Sequence, residues 1–252
     1  MKTNKNGTVS FGDAVALTVL PNGVAVIKLD LKDSKVNLLS FQVLNDFSSA
    51  LDALAALTGV KGLVICSGKD DNFVAGANVN EIQTVQRQSP TVAFEATQHG
   101  KAVLGKIAAL PFTTVVAING TCLGGGTELA LACDYRLASD SGKVKIGLPE
   151  VGLGFIPGWG GTVRLPKMIG AQAALELILQ LLKTWDADKA WKMGLVSEVV
   201  PAVDLFDRAL AVALGARPKQ FKAPLKARFM RSILEDKLTM AAALLVVAGL
   251  LG

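Results

Sequence analysis

The sequence predicts an α/β fold in which short β-β-α turns stack on one another. Two observations support this prediction. Short apolar runs, many of them β-branched, recur along the 252-residue chain, and several of the intervals between them show helical periodicity. These intervals reach the dozen or more residues that a crossover between parallel strands requires. Hydrophobic residues make up 51% of the chain, which is enough to fill one large core.

The chain opens with the pattern of an antiparallel hairpin. Residues Val15–Val19 and Val24–Leu29 alternate or run apolar on either side of the turn sequence Pro21-Asn22-Gly23. We therefore expect a small β-meander at this end. Ser40 then stands where the N-cap of a first helix would lie. The apolar residues of this predicted helix recur at steps of three and four and form one buried stripe: Leu44, Phe47, Leu51 and Leu54.

A strand–helix–strand unit follows the first helix. The apolar run at 62–66 predicts a strand and residues 67–80 a glycine-containing loop. Residues 91–108 predict a helix, and Thr113–Ile118 predicts the second strand. The same order then continues. Its predicted elements are a helix over 125–132, a strand over 135–138, and helices near 171–182 and 187–193.

Composition and targeting signals exclude several classes of protein. Cys66, Cys122 and Cys133 lie in apolar runs without CxxC spacing, which argues against a disulfide framework and a zinc site and favours a reducing compartment. Residues 1–11 are polar and lack the apolar segment of a secretory signal, and no stretch reaches the roughly 18 to 20 apolar residues of a membrane span. We therefore expect a cytoplasmic protein with no membrane span.

Several common catalytic motifs are also missing. Neither Gly124-Gly125-Gly126 nor Gly152-Leu153-Gly154 continues into a GxGxxG fingerprint, and there is no GxxxxGK[ST] phosphate loop. The single histidine, His99, lies inside the predicted helix over 91–108 with no nucleophile nearby in sequence. Ser-His-Asp chemistry and histidine metal sites thus lack their main ingredient, and we predict no metal site. Chemistry must come from carboxylates and from the backbone.

Two segments place a glutamate among glycines and apolar residues. Glu128 follows Gly124-Gly125-Gly126 in the first turns of a predicted helix, where unsatisfied N–H groups form an anion-binding cradle. Glu150 follows Pro149 and precedes a second glycine-rich stretch. Structural explanations stay open at this point: Glu128 would interact favourably with the helix dipole, the glycines would allow close packing, and Glu150 would be a structural residue at a strand end.

These residues resemble the enoyl-CoA hydratase/isomerase (crotonase) signature. Four matching stretches stand in the family's order: residues 72–78 in place of its FxAGAD loop, then 119–134, 149–162 and 190–201. No single stretch would suffice, but four in this order are highly specific. The resemblance covers residues 15–210. It implies a crotonase-like spiral core over residues 1–202, followed by a C-terminal helical region over residues 203–252.

The resemblance also implies a site. The backbone N–H groups of Ala77 and Gly125 would form an oxyanion hole, Glu150 would be the principal proton donor to Cα of the substrate, and Glu128 would bind and activate water. The resemblance implies no metal and no cofactor, because coenzyme A belongs to the substrate. Further residues that would bind substrate are Ala75, Gly76, Asn78, Gly124, Gly126, Pro149 and Gly158.

The activity implied by this pair of glutamates is hydration of a 2-trans-enoyl-CoA to 3-hydroxyacyl-CoA in fatty-acid β-oxidation. Two alternatives stay open. A Δ3-Δ2 enoyl-CoA isomerase would shuttle a proton between Cα and Cγ over the same oxyanion hole and needs only one carboxyl group. A non-catalytic crotonase-like protein would bind acyl-CoA or a partner chain without turnover.

A second resemblance concerns the C-terminal part. Gly147-Leu148-Pro149-Glu150 and the basic stretch 217–231 are similar to the N-terminal hydratase part of multifunctional fatty-acid oxidation α-subunits. We predict no nucleic-acid partner, because no aromatic residues interleave with this charge. The run from Leu238 to Gly252 is almost wholly apolar and would need a cover. We therefore expect a truncated chain that forms a homo-oligomer or belongs to a larger fatty-acid oxidation complex.

Overall fold

The computed structural model of the protein describes residues 2–3 and 7–221. The strands in this part are β1 (Lys2–Thr3), β2 (Val9–Phe11), β3 (Val15–Val19), β4 (Val24–Leu29), β5 (Gly62–Ser67), β6 (Asn72–Val74), β7 (Thr113–Ile118), β8 (Thr121–Leu123), β9 (Tyr135–Ser139), β10 (Lys145–Gly147), β11 (Thr184–Trp185) and β12 (Glu198–Val200). The α-helices are α1 (Phe41–Ala55), α2 (Val79–Gln86), α3 (Pro90–Ala108), α4 (Gly125–Ala132), α5 (Gly161–Ile169), α6 (Ala171–Leu179), α7 (Ala187–Lys192) and α8 (Leu205–Ala213), with 3-10 helices at Pro149–Leu153 and Ala202–Asp204. Over the same residues, no helix combines the length and hydropathy needed to cross a membrane.

The larger sheet has eight strands in the order β1-β2-β3-β4-β5-β7-β9-β12. Its first four strands pair antiparallel, which confirms the predicted meander. From β4 onward each pairing is parallel, with helices lying between successive strands in the chain. The predicted α/β architecture is therefore confirmed.

Helices cover both faces of the parallel strands. Helix α8 packs on one face, where Ala209 and Val212 belong to the same apolar cluster as Val24 and Val64. Helices α1 and α3 contribute to the larger cluster on the other face. Strands buried on both faces read as continuous apolar runs rather than alternating ones, which is why their periodicity alone could have been mistaken for that of buried helix segments.

The first helix begins and packs as predicted. The Ser40 Oγ accepts a hydrogen bond from the Val43 N–H at 3.1 Å, which satisfies one of the donors that the first turn leaves free. The predicted apolar stripe is buried: Leu44, Phe47, Leu51 and Leu54.

A smaller sheet, in the order β11-β10-β8-β6, brings two chain segments together. Strands β8 and β10 pair in parallel, with Leu123 opposite Gly147. Because their carboxyl ends lie at the same edge, the residues that follow them emerge side by side. These residues are the start of α4, which contains Glu128, and the 3-10 helix that contains Glu150.

Some predicted elements were wrong. The expected loop over 67–80 contains β6 and the start of α2, and the helix expected over 171–182 ends at Leu179, because Gln180 is extended and Leu182 has a positive φ of 54°. The strands of the smaller sheet were missed because two or three residues are too few to show a period. The proposed division after residue 202 stays a prediction. Residues 222–252, including the apolar run from Leu238, lie outside the described part.

Candidate active site

A buried asparagine fixes the loop that follows β6. The Asn37 Nδ2 lies 2.9–3.0 Å from the Leu29 carbonyl oxygen, the Ser67 Oγ and the Phe73 carbonyl oxygen, and its Oδ1 accepts from the Leu31 N–H at 2.9 Å. Asn37 is 3% exposed, so these hydrogen bonds form in a region where an unpaired polar group would be costly. Asn37 therefore links the C-terminal ends of β4 and β5 to β6.

Leu39 then pairs with the loop itself. Its N–H donates to the Gly76 carbonyl oxygen at 2.9 Å, and its carbonyl oxygen accepts from the Asn78 N–H at 3.2 Å. Ala77 lies between these two bonds, opposite Leu39 in an isolated parallel bridge. Among the backbone hydrogen bonds of the described residues, none uses the Ala77 N–H.

The start of α4 presents the second backbone donor. The N–H of Gly124 donates to the Gly147 carbonyl oxygen at 2.9 Å, whereas the hydrogen bonds described for the backbone include none from the Gly125 N–H. Gly124 has a φ of +52°, a conformation that favours glycine. A Cβ added there would lie 3.2 Å from the Glu150 Oε1 and 3.8 Å from the Gly76 Cα. Gly124 thus lets the Gly76 loop, α4 and Glu150 approach one another.

Glu128 is held by the backbone of the glycine-rich loop before α5. It is 2% exposed, and its Oε1 accepts hydrogen bonds from the Trp159 N–H at 2.8 Å and the Gly161 N–H at 2.7 Å. Burial raises the pKa of the Glu128 carboxyl to about 7, although those hydrogen bonds and the positive charge of Arg164 oppose the rise. The two donors fix the direction of the carboxyl group.

Glu150 lies in the 3-10 helix Pro149–Leu153 and is 7% exposed. Its Oε2 is buried and has no hydrogen-bond partner among the described residues. Burial raises the pKa of the Glu150 carboxyl to about 7, its own backbone N–H opposes the rise, and the negative charge of Glu128 adds to it. Glu150 therefore takes up a proton readily near neutral pH.

Both carboxyl groups face one cavity of about 520 Å³. The structure brings most of the predicted site residues to its lining: Ala75, Gly76, Ala77, Gly124, Gly125, Glu128, Pro149, Glu150 and Gly158. His99 is not among the residues that line it. In the described part of the chain, no group of three or more His, Cys, Asp or Glu side chains could hold a metal ion.

Two predicted substrate-binding residues do not line this cavity. The Asn78 side chain caps α2 by accepting from the Asn80 N–H at 3.1 Å. Gly126 lies against β6, where an added Cβ would come within 2.6 Å of the Val74 carbonyl oxygen. The structure thus gives Asn78 a capping role and Gly126 a packing role, and contact with substrate at these positions stays a prediction.

Sequence reasoning missed most of the apolar lining. The additional residues come from α1, α2, α3 and the loop around the 3-10 helix: Phe41, Val79, Ile82, Val85, Ala93, Ala96, Thr97, Leu153, Phe155, Ile156 and Trp159. One signal was available, because Val79, Ile82 and Val85 recur at intervals of three and predict one face of a helix. Trp159 could also have been singled out as the one large side chain among Gly158, Gly160 and Gly161.

The arrangement is suited to proton transfer to and from a substrate on which negative charge develops. Two carboxyl groups with pKa values near 7 can exchange protons at physiological pH. The N–H groups of Ala77 and Gly125, which make no backbone hydrogen bond to the residues described, could stabilise a developing negative charge. The mostly apolar lining lowers the local dielectric constant, which strengthens both effects.

Comparisons with known proteins show the family of this chain. Residues 20–245 match the family model described as "Enoyl-CoA hydratase/isomerase". The chain is 42% identical over 213 residues to the fatty acid oxidation complex subunit alpha of Idiomarina loihiensis, and 39% identical over 219 residues to that of Shewanella baltica. These alignments cover 84% and 87% of this chain but only 30% of either relative, so the chain spans about 30% of the length of these curated relatives.

Solved structures show the same fold. The enoyl-CoA hydratase structure from Geobacillus kaustophilus superposes with a TM-score of 0.75 at 30% identity, covering 82% of this chain and 75% of the other. The enoyl-CoA hydratase of Bacillus anthracis superposes with a TM-score of 0.72 at 32% identity, covering 79% and 75%. The crotonase-like spiral expected from the sequence is therefore confirmed as the fold.

Proposed function

This chain belongs to the enoyl-CoA hydratase/isomerase family, and from that premise we propose that it adds water across the 2-trans double bond of an enoyl-CoA to give a 3-hydroxyacyl-CoA. One observation carries the proposal. Two buried glutamates in different hydrogen-bonding states line the same cavity as Ala77 and Gly125, whose N–H groups make no backbone hydrogen bond within the described part of the chain.

The thioester carbonyl oxygen would lie between the N–H groups of Ala77 and Gly125. Adding water across the double bond builds negative charge on this oxygen as an enolate, so fixed donors stabilise the transition state more than the ground state. The Leu39 pairing and the α4 start hold the two donors rigidly. One such donor is worth about 100- to 1000-fold in rate.

The two carboxyl groups would divide the proton transfers. Hydrogen bonds from the Trp159 and Gly161 N–H groups favour the ionised form of Glu128, which suits it to orient and deprotonate water at Cβ. The unpartnered Oε2 of Glu150 favours the protonated form, which suits Glu150 to deliver a proton to Cα. Because the two groups interact, they titrate as a coupled pair.

Δ3-Δ2 isomerisation is a second candidate activity of the same site. The Glu150 Oε2 is not committed to any hydrogen bond among the described residues, so this carboxyl can take a proton from one carbon and return it to another. Isomerisation would not need Glu128, whereas hydration would. Acyl-CoA binding without either reaction is the remaining alternative.

The relatives named as subunits of a fatty acid oxidation complex support a place for this chain in fatty-acid oxidation. We also propose that it uses no cofactor beyond the coenzyme A of its substrate, acts in the cytoplasm, and assembles with copies of itself or with a larger complex. Light scattering on the purified protein would test the assembly: a mass equal to one chain would overturn it.

The proposed reaction is tested by the loss of 2-enoyl thioester absorbance with crotonyl-CoA and decenoyl-CoA. We expect turnover by the wild type and its collapse in both Glu128→Gln and Glu150→Gln, with folding checked by circular dichroism. A Glu128→Gln variant that keeps converting 3-enoyl-CoA to 2-enoyl-CoA would identify the isomerase. Coenzyme A binding by well-folded wild type without turnover of any enoyl-CoA would favour the non-catalytic alternative.

A further inference from the structure

The Trp159 indole fills a gap between two glycines. A Cβ added at Gly125 would lie 2.4 Å from the Trp159 Cζ3, and one added at Gly100 would lie 2.3 Å from both its Cε2 and its Nε1. The six-membered ring therefore packs against the start of α4, and the pyrrole side packs against α3. Trp159 is also among the residues that line the cavity.

The position of Trp159 follows from its backbone. Its N–H donates to the Glu128 Oε1, and its carbonyl oxygen accepts from the Arg164 Nη1 at 3.0 Å. The residue before it, Gly158, packs on α3, where an added Cβ would meet the Thr97 Cγ2 at 3.0 Å. The loop is thus fastened to α4, α5 and α3, so the indole has little freedom to swing away.

This position lies beyond the reacting atoms of the proposed substrate. With the carbonyl oxygen at the Ala77 and Gly125 N–H groups and Cβ beside Glu128, the rest of the acyl chain must continue past Glu128. Trp159 is adjacent there, because its backbone N–H donates to the Glu128 Oε1, its indole lies against Gly125 and Gly100, and the residue lines the cavity. The neighbouring lining from α3, Ala93 and Ala96, is small and apolar and leaves room for an alkyl chain.

We propose that the Trp159 indole is the end wall of the acyl pocket and sets the longest acyl chain that the cavity holds. This inference rests on the proposed function, because it uses the orientation of an enoyl thioester over Glu128 and Glu150. It adds a limit on the substrate: the cavity buries the whole acyl chain up to the length that reaches the indole, and the end of a longer chain stays outside.

Truncating this side chain should lengthen the pocket rather than collapse it. Two of the residues that the ring lies against, Gly100 and Gly125, are glycines and have no side chain to move into the space. The space would open directly into the existing cavity. Each further methylene that becomes buried should then improve binding about fourfold, which corresponds to about 0.8 kcal/mol.

The test compares the wild type, Trp159→Ala and Trp159→Phe with two substrate series. Saturated acyl-CoAs from butanoyl to hexadecanoyl report dissociation constants by calorimetry, and the corresponding 2-enoyl-CoAs report kcat/KM. In the wild type, both quantities should stop improving at the chain length that reaches the indole. In Trp159→Ala the improvement should continue past that length by about fourfold per methylene, with Trp159→Phe in between.

Phe94→Ala is the matched control. Phe94 lies in α3, the helix that contributes Ala93 and Ala96 to the lining, but it is 62% exposed and does not line the cavity. Its loss should leave the chain-length limit unchanged. The ratio of long-chain to crotonyl values is the readout, because it cancels any general loss of fold or activity.

An equal loss at all chain lengths in Trp159→Ala would mean that the ring only supports Gly125 and Glu128, and would overturn the inference. Absence of turnover by folded wild type would overturn hydration instead. In that case the dissociation constants of the saturated acyl-CoAs would still test the end wall, because binding needs no turnover. A longer limit in Trp159→Ala supports the wall, and an unchanged limit contradicts it.

Discussion

Helix α4 and the 3-10 helix Pro149–Leu153 each bring one glutamate to the same cavity, but the two carboxyl groups differ in their surroundings and hydrogen bonds. Helix α4 is buried along its whole length, and Glu128 accepts two backbone hydrogen bonds there. In the 3-10 helix only Glu150 is buried, and its Oε2 has no partner among the described residues. Burial raises the pKa of both carboxyl groups to about 7, but their hydrogen-bond partners differ. Equal acidity does not imply equal roles, because Glu128 accepts hydrogen bonds from the Trp159 and Gly161 N–H groups, whereas Glu150 accepts one from its own backbone N–H.

The largest effect should come from removing either acid. Glu150→Gln and Glu128→Gln should each lower kcat for hydration by about 100- to 10,000-fold with a much smaller change in KM, since general acid–base catalysis acts in the transition state. Steady-state rates with crotonyl-CoA measure this. Glu95→Gln, an exposed change on α3, is the control and should be silent. A tenfold rise in KM without a fall in kcat would show that the carboxyl groups only bind substrate.

Glu150→Gln should also stabilise the fold at alkaline pH. The pKa of Glu150 is raised from 4.5 to about 7, so between these values the folded state holds more protons than the unfolded state. The free energy of unfolding of the wild type therefore falls as pH rises through this window and levels off above it. Glutamine cannot ionise, so the variant should gain about 3 kcal/mol relative to the wild type across the window. Urea unfolding at several pH values checks this, and a pH-independent difference would contradict it.

Gly125→Ala should lower kcat by about 100-fold, the value of one oxyanion donor. The added Cβ would lie 2.4 Å from the Trp159 ring, so the donor or the ring must shift. Adding Trp159→Ala should relieve this clash and restore part of the activity, which makes the two changes non-additive. Additive losses in this double-mutant cycle, measured with crotonyl-CoA, would mean that the ring and the donor are independent.

The smallest expected effect is the pH dependence of kcat/KM for the wild type. Glu128 must be ionised and Glu150 protonated, and both pKa values lie near 7. The profile should be a narrow bell centred near neutral pH, falling about tenfold per pH unit on each side. A broad plateau would contradict this, because it would mean that the pKa values of the two carboxyl groups differ by several pH units.

Sequence periodicity predicted β3, β4, β5, β7 and β9 of the large sheet, but not its two- or three-residue strands β1, β2 and β12. Strands such as β5 and β7 are long apolar runs, and the stripe of α1 gives a clear helical period. The smaller sheet was invisible because its strands have two or three residues, although the pairing of Leu123 with Gly147 is what brings the two glutamates together.

The site could be predicted only in part, because local sequence patterns show some of its residues but not their long-range contacts. Glu128 and Glu150 could be singled out by their glycine-rich surroundings and by the family resemblance. The hydrogen bonds that distinguish them could not, because Glu128 contacts residues 31 and 33 positions away in the chain. The end wall formed by Trp159 likewise depends on Gly100, a residue in another helix, and no local pattern connects the two.

The division of roles between the glutamates is tested most directly by exchange of the Cα protons of butanoyl-CoA in D2O, followed by NMR. This exchange needs an oxyanion hole and an acid–base at Cα but no water addition. We predict that Glu128→Gln keeps exchange within about tenfold of the wild type, whereas Glu150→Gln loses it by about 100-fold or more. Exchange that survives in Glu150→Gln and is lost in Glu128→Gln would contradict the account.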